Sequence, residues 1–184
     1  MRRVLVDTSV LFPFSVMDLM LALSEDAVHQ VLWTDDLLDE SERIIVRERR
    51  RSAQSAASVT EAVRAFFADC RIERSSYEHL VGEMPGDDPD DHPHMAAAVA
   101  AAVDALVTAN LADFPKAPLA LGVRVVDPDT YLCELLAEHA AEVVATVARM
   151  AAEKRRPPRD PDQILDALRG AGLRSFPDRV GTLL

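Results

Sequence analysis

The stretch Val4-Leu5-Val6-Asp7-Thr8-Ser9 decides how the rest of this 184-residue chain is read. A short apolar run of β type stops on an Asp, and the Thr and Ser that follow are turn and helix-capping residues. In open α/β sheets the C-terminal end of a strand is where ligands bind. Asp7 is therefore read in two ways: as the cap of the next helix, or as a member of a site.

Working outward, apolar residues continue from Val10 to Leu23, interrupted by Pro13 and Asp18, and predict a helix centred on 16–24. Val31-Leu32-Trp33 reads as a second strand, with Thr34-Asp35 capping a helix over about 36–50 on which Leu37, Leu38, Ile44 and Ile45 recur at helical spacing. An amphipathic helix follows over about 55–68, with Val59, Ala62, Val63, Phe66 and Phe67 on one face, and Cys70-Arg71-Ile72 reads as a weak strand. Residues 82–91 form a loop by composition. An Ala-rich helix runs over about 93–103, with Pro93 in its first turn, where a missing N–H costs nothing. Ala105–Thr108 and Val123–Val126 are the last strands, the second closed by Asp127-Pro128. Short β runs alternating with helices indicate an α/β fold with a mostly parallel sheet. After Pro128 the character turns helical. One helix is expected over about 129–153, a basic linker at Lys154-Arg155-Arg156-Pro157-Pro158, and a short helix carrying Ile164, Leu165 and Leu168. The reading divides the chain into a core domain, 1–128, and a helical extension, 129–184.

Composition sets bounds on function. Hydrophobic residues make up 49% of the chain, enough to bury a core without disulfides or structural metal. Lys and Arg number 20 against 31 Asp and Glu, a net charge of −11, which excludes a body held to nucleic acid by overall positive charge. The excess is localised: residues 1–151 carry a net −13 and residues 152–184 a net +2. Local basic patches stay open, and Arg47, Arg49, Arg50 and Arg51 form one, readable as phosphate contacts or as a solvated helix end favoured by the helix dipole. Two unpatterned cysteines, Cys70 and Cys133, a start that makes a poor signal peptide, and no apolar stretch of about 18 residues lead to the expectation of a soluble cytoplasmic protein without a membrane span.

Three carboxylates stand out from the solvated majority. Asp7 ends a strand. Glu40 lies three residues after Leu37 and four before Ile44, on their face of the helix, and a carboxylate there is paired, protonated, cation-bound, or reaches solvent from the flank. Asp91 precedes the Ala-rich helix, four residues before Met95, although Asp87, Asp88 and Asp90 make an acidic loop equally readable. Asn110 and Asp113 follow the strand ending at Thr108. Strand ends and helices thus offer oxygen ligands to one place, a set that suits hard cations such as Mg²⁺ or Mn²⁺. Other chemistries lack their patterns. His92 and His94 have no Cys or His partner at zinc spacing. None of the six glycines forms a phosphate-binding loop, and no GxSxG elbow is present. Asp7 also has no second Asp two positions on, as a haloacid-dehalogenase-type phosphatase requires.

Taken in order, Val4–Leu11, Asp36-Leu37-Leu38-Asp39-Glu40, Asp88–Asp91 with Ala96-Ala97-Ala98, Leu106–Pro115 and Val125–Pro128 resemble a PIN-domain ribonuclease of the VapC type, the toxins of bacterial toxin–antitoxin pairs. The resemblance covers about residues 3–130, and residues 129–184 resemble the helical tail of one subgroup. It implies a PIN-like (Rossmann-like) three-layer sandwich and Mg²⁺- or Mn²⁺-dependent endoribonuclease activity. It further implies an RNA substrate and a cognate antitoxin. Asp7, Glu40 and Asp91 match the family's acids, with Asp90 as the fallback for Asp91 and Thr8 or Ser9 as a supporting hydroxyl. At the fourth acid many members carry Asp where this chain has Asn110, so Asn110 and Asp113 are joint candidates for metal binding. Two further readings accompany this one: a catalytically weak PIN-fold module that binds RNA or protein, and a homodimer built on the apolar helical surfaces.

Overall fold

The computed structural model of the protein describes residues 1–11, 14–48, 52–153 and 160–184. Arg49, Arg50, Arg51 and the Lys154–Pro158 linker lie outside the described residues. The elements in chain order are β1 (Arg2–Val6), α1 (Thr8–Leu11), α2 (Phe14–Glu25), β2 (His29–Leu32), α3 (Asp35–Arg47), α4 (Ala53–Phe66), α5 (Arg74–Tyr77), α6 (His92–Ala100), β3 (Ala105–Val107), β4 (Arg124–Val126), α7 (Pro128–Glu138), α8 (Ala140–Glu153), α9 (Pro161–Gly170) and α10 (Ser175–Gly181).

The four strands form one all-parallel sheet in the order β2-β1-β3-β4. Val4, Leu5 and Val6 of β1 and Ala105, Leu106 and Val107 of β3 are all buried. Successive strand residues point to opposite faces, so burial at every position means that both faces are covered by helices. That is the three-layer α/β architecture the sequence predicts. Register places Val6 beside Val107 and Val107 beside Val126, so three strands end level. Asp7, Thr108 and Asp127 are the residues that leave those ends, and the Asp7 N–H still bonds Val107 O at 2.9 Å.

Local signals set several helix starts. Thr34 caps α3 through Leu37 N–H at 3.1 Å, Asp127 caps α7 through Thr130 N–H, and Asp160 with Gln163 makes a capping box on α9. Three sequence expectations are corrected, and one element is added to them. Cys70-Arg71-Ile72 is no full strand but a single parallel bridge between Trp33 and Arg71, because the chain arrives from a 3₁₀ turn at Ala68–Cys70 and leaves into α5. The buried row of α4 is Ala56, Thr60 and Val63, facing α3, while Phe66 is 82% exposed. The expected helix over 129–153 breaks at His139 (φ −135°, ψ 48°) into α7 and α8. The break lets the apolar row of α7 face α10 while that of α8 faces α2 and α9. The added element is α10, whose seven residues with one buried Phe and one buried Val make a weak periodic signal.

The C-terminal helices complete the core. α8 and α9 cover α2, Ser15 Oγ donates to Ala167 O at 3.3 Å, and Arg149 reaches Glu25, Asp26 and the Ala22 carbonyl. Much of the apolar surface of α2 is thereby buried within the chain. Among the described residues no helix is long and apolar enough to cross a membrane.

Candidate metal centre

Asp7 is 4% exposed, and it is surrounded by donors. Its Oδ2 accepts the Ser9 hydroxyl at 2.5 Å, the Thr108 hydroxyl at 2.9 Å and, at 3.4 Å, the Ser9 N–H; its Oδ1 accepts the Thr8 hydroxyl at 3.3 Å. The long Ser9 N–H bond is all that remains of a capping role. Two backbone N–H groups beyond β3 feed the same carboxylate through those hydroxyls. Ala109 N–H donates to Ser9 Oγ and Asn110 N–H to Thr108 Oγ1, each at 3.0 Å. Hydrogen bonds from so many donors fix the orientation of the carboxylate.

Asp91 stands at the start of α6, but its side chain makes no cap bond. Its Oδ2 is buried without a hydrogen-bond partner. Burial, then the charges of Asp7, Asp88 and Asp113, push its carboxyl up to about 6, with His94 acting in the opposite direction. Oxygens of Asp88, Asp91 and Asp113 all lie within 4.8 Å of one another. The 82–91 loop reaches this position by turning at Gly86, whose φ of +117° is open to glycine, and the Gly86 carbonyl accepts His92 Nε2 at 3.1 Å. An orphaned buried carboxylate oxygen within an oxygen-only cluster fits a hard divalent cation, which relieves the repulsion and supplies the missing partner.

Glu40 is held from a different direction. Its Oε2 lies 3.0 Å from His94 Nε2, and the His94 side chain is 4% exposed against 34% for Glu40. Glu40 on the face of Leu37 is therefore paired with His94. Burial opposes a charge on His94, but the Glu40 hydrogen bond and the charges of Asp7, Glu40 and Asp91 outweigh it and raise its pKa. His94 Nδ1 is buried without a partner, as is Asp91 Oδ2 one helical turn before it.

Asp7, Asp91 and Asp113 thus share one electrostatic neighbourhood, and Glu40 joins it through His94. Asp88, left among its loop neighbours by the sequence, is part of the cluster, whereas Asp90 is exposed and gives its N–H to Asp88 Oδ1 at 3.0 Å. The Asn110 side-chain amide donates to Asp113 Oδ2, so Asn110 supports a carboxylate of the cluster. Two contributors went unread in the sequence, Thr108 and His94. A hydroxyl directly after β3, level with Asp7 in a parallel register, and a His one turn beyond Asp91 were the available signals. Arg47 is exposed and pairs with Glu48 at 3.5 Å.

The family model described as PIN domain matches residues 3–112, and the one described as VapC50 C-terminal domain matches residues 128–182. No curated protein and no solved structure matches the chain.

Proposed function

This chain belongs to the PIN-domain family, with a C-terminal segment of VapC type, and from that membership we propose that it is a Mg²⁺- or Mn²⁺-dependent endoribonuclease, the toxin of a toxin–antitoxin pair acting in the cytoplasm. The observation that carries the metal dependence is the buried, unpartnered Oδ2 of Asp91 within the cluster of Asp88, Asp91 and Asp113. These three, with Asn110 steadying Asp113 and with Asp7 and Glu40 beside them, would hold the cation. When bound, it supplies positive charge for the phosphate and makes nearby water more acidic. Asp7, fixed by the Ser9 and Thr108 hydroxyls, and Glu40, fixed by His94, complete the acidic wall against which the phosphodiester lies. A carboxylate so oriented accepts a proton from the attacking water. The acidic surface at large disfavours RNA, and a cation held by this cluster would offset that charge locally.

The catalytic part is assigned to residues 1–128 and the extension to 129–184. An open groove of about 530 Å³ bordered by Phe14, Met17, Leu21, Val59 and Phe66 suits the apolar face of an antitoxin helix. Because α8 and α9 cover much of α2, this groove rather than a bare α2 is the surface offered to a partner. Asn110 in place of a fourth Asp favours the second reading, a binding module with weakened chemistry. An RNA cleavage assay with Mn²⁺, with and without a chelator, decides between them. Metal-dependent cleavage lost in the Asp7→Ala protein supports the nuclease; RNA bound but uncut, with no Mn²⁺ uptake by calorimetry, supports the module.

A further inference from the structure

His94 is the most deeply buried ionisable side chain at the site, and the proposed function gives it no direct part in chemistry. A carboxylate oxygen accepts, so His94 Nε2 carries the hydrogen and donates to Glu40 Oε2 at 3.0 Å. This bond joins α3 to α6, two helices that reach the cleft from separate parts of the chain. Glu40 is one-third exposed and sits on a long, mobile stem, so without the bond its carboxylate is free to turn to solvent. His94 has no such freedom, because its neighbours Met95, Ala96, Ala97 and Ala98 are packed in the core with no exposed surface. The rigid partner thus orients the loose one. Partners that orient the groups around a metal commonly change its affinity by about 10- to 100-fold when removed.

The geometry points to His94 as a positioning residue that acts through Glu40, fixing the carboxylate of α3 against the acidic cluster at the start of α6. This rests on the cluster being a divalent-cation site. His94→Gln keeps a donor near the Nε2 position, whereas His94→Asn keeps a polar atom near Nδ1 but cannot reach Glu40.

The test is calorimetric titration of Mn²⁺ into the metal-free full chain, for wild type, H94Q, H94N, E40Q and the E40Q/H94N double variant, with melting curves to establish that each is folded. H94N is expected to weaken Mn²⁺ binding about tenfold and H94Q by about threefold or less. The double variant is expected to bind no more weakly than E40Q alone, since both changes break one interaction. In RNA cleavage, H94N is expected to lower kcat more than it raises KM. Equal Mn²⁺ affinity of H94N and wild type overturns the proposal, and so does a loss in the double variant equal to the two single losses combined. If H94N does not fold, H94Q against E40Q decides: a tenfold loss in H94Q overturns it. Wild type that binds no Mn²⁺ overturns the metal reading and this proposal together, whereas wild-type binding with an unaffected H94N overturns this proposal alone.

Discussion

Thr108 Oγ1 donates to Asp7 Oδ2 at 2.9 Å across the level ends of β3 and β1, and both side chains are buried. The same hydroxyl accepts Asn110 N–H, so it couples the carboxylate to the loop carrying Asn110 and Asp113.

Thr108→Val keeps the shape and removes the hydroxyl, leaving Asp7 short of a donor and Asn110 N–H without its acceptor. A buried polar group left unpaired costs about 1–3 kcal/mol. Urea unfolding is expected to show a loss in that range, and RNA cleavage a fall of about tenfold. Unchanged stability and rate would show that the bond orients nothing.

Asp91 makes the metal-free protein sensitive to pH. Its carboxyl is raised to about 6 from 3.8, so the stability gained by keeping it protonated is present below about pH 4 and lost as pH rises through 6. Asp91→Asn cannot ionise. Its melting temperature, measured with chelator present, should gain on wild type between pH 4 and pH 7. Mn²⁺ should raise the melting point of wild type and not of D91N, and Mn²⁺ binding to wild type should weaken below pH 6 as protons compete. A constant difference between the two proteins across this range would remove Asp91 from the centre.

His29 titrates in the opposite sense. It is fully buried in β2, with Nε2 2.7 Å from Met20 O and Nδ1 2.8 Å from Tyr131 Oη. A carbonyl only accepts, so Nε2 carries the hydrogen and Nδ1 accepts the Tyr131 hydroxyl. The neutral ring is fully satisfied, and burial lowers its pKa to about 4 from 6.5. Stability from the neutral ring is present above pH 6.5 and lost as pH falls through 4. His29→Gln, which cannot take up the proton, should close its stability gap to wild type on acidification from pH 7 to pH 4. An imidazole proton resonance of His29 titrating near pH 6.5 would refute this.

The C-terminal helices should unfold together with the sheet. Phe176 of α10 is fully buried, and Asp129 at the start of α7 accepts the N–H groups of Ser175 and Phe176, both at 2.8 Å. Burial acts against ionisation of Asp129, but these N–H groups prevail and lower its pKa. Phe176→Ala is expected to cost about 3–5 kcal/mol in a single urea transition seen equally by circular dichroism and by Trp33 fluorescence. Two separated transitions would mean that the extension folds on its own.

How much was legible follows from the kind of signal each element carries. The runs at Val4–Val6 and Ala105–Thr108 and the caps Thr34, Asp127 and Asp160 act through bonds a few residues long, so the α/β order could be read directly. Phe66 shows where such reading stops. It falls on the apolar stripe of α4, yet it is 82% exposed, because the contact of α4 with α3 is filled by Ala56, Thr60 and Val63 and Phe66 lies at the rim of the open groove beside α2.

The acids divide in the same way. Asp7 and Asp91 are marked as candidates by position, one ending a strand and one preceding a helix, and only the family resemblance favours Asp91 over its acidic neighbours. Nothing local distinguishes Asp88 from Asp87 or Asp90, or assigns Asn110 the task of steadying Asp113. Nor does any spacing connect Glu40 to His94, 54 residues away. Periodicity and capping report which way a side chain faces from its own element. What it meets there depends on the parallel register of β1 with β3 and on how α3 and α6 converge on it, and those are properties of the packed chain alone.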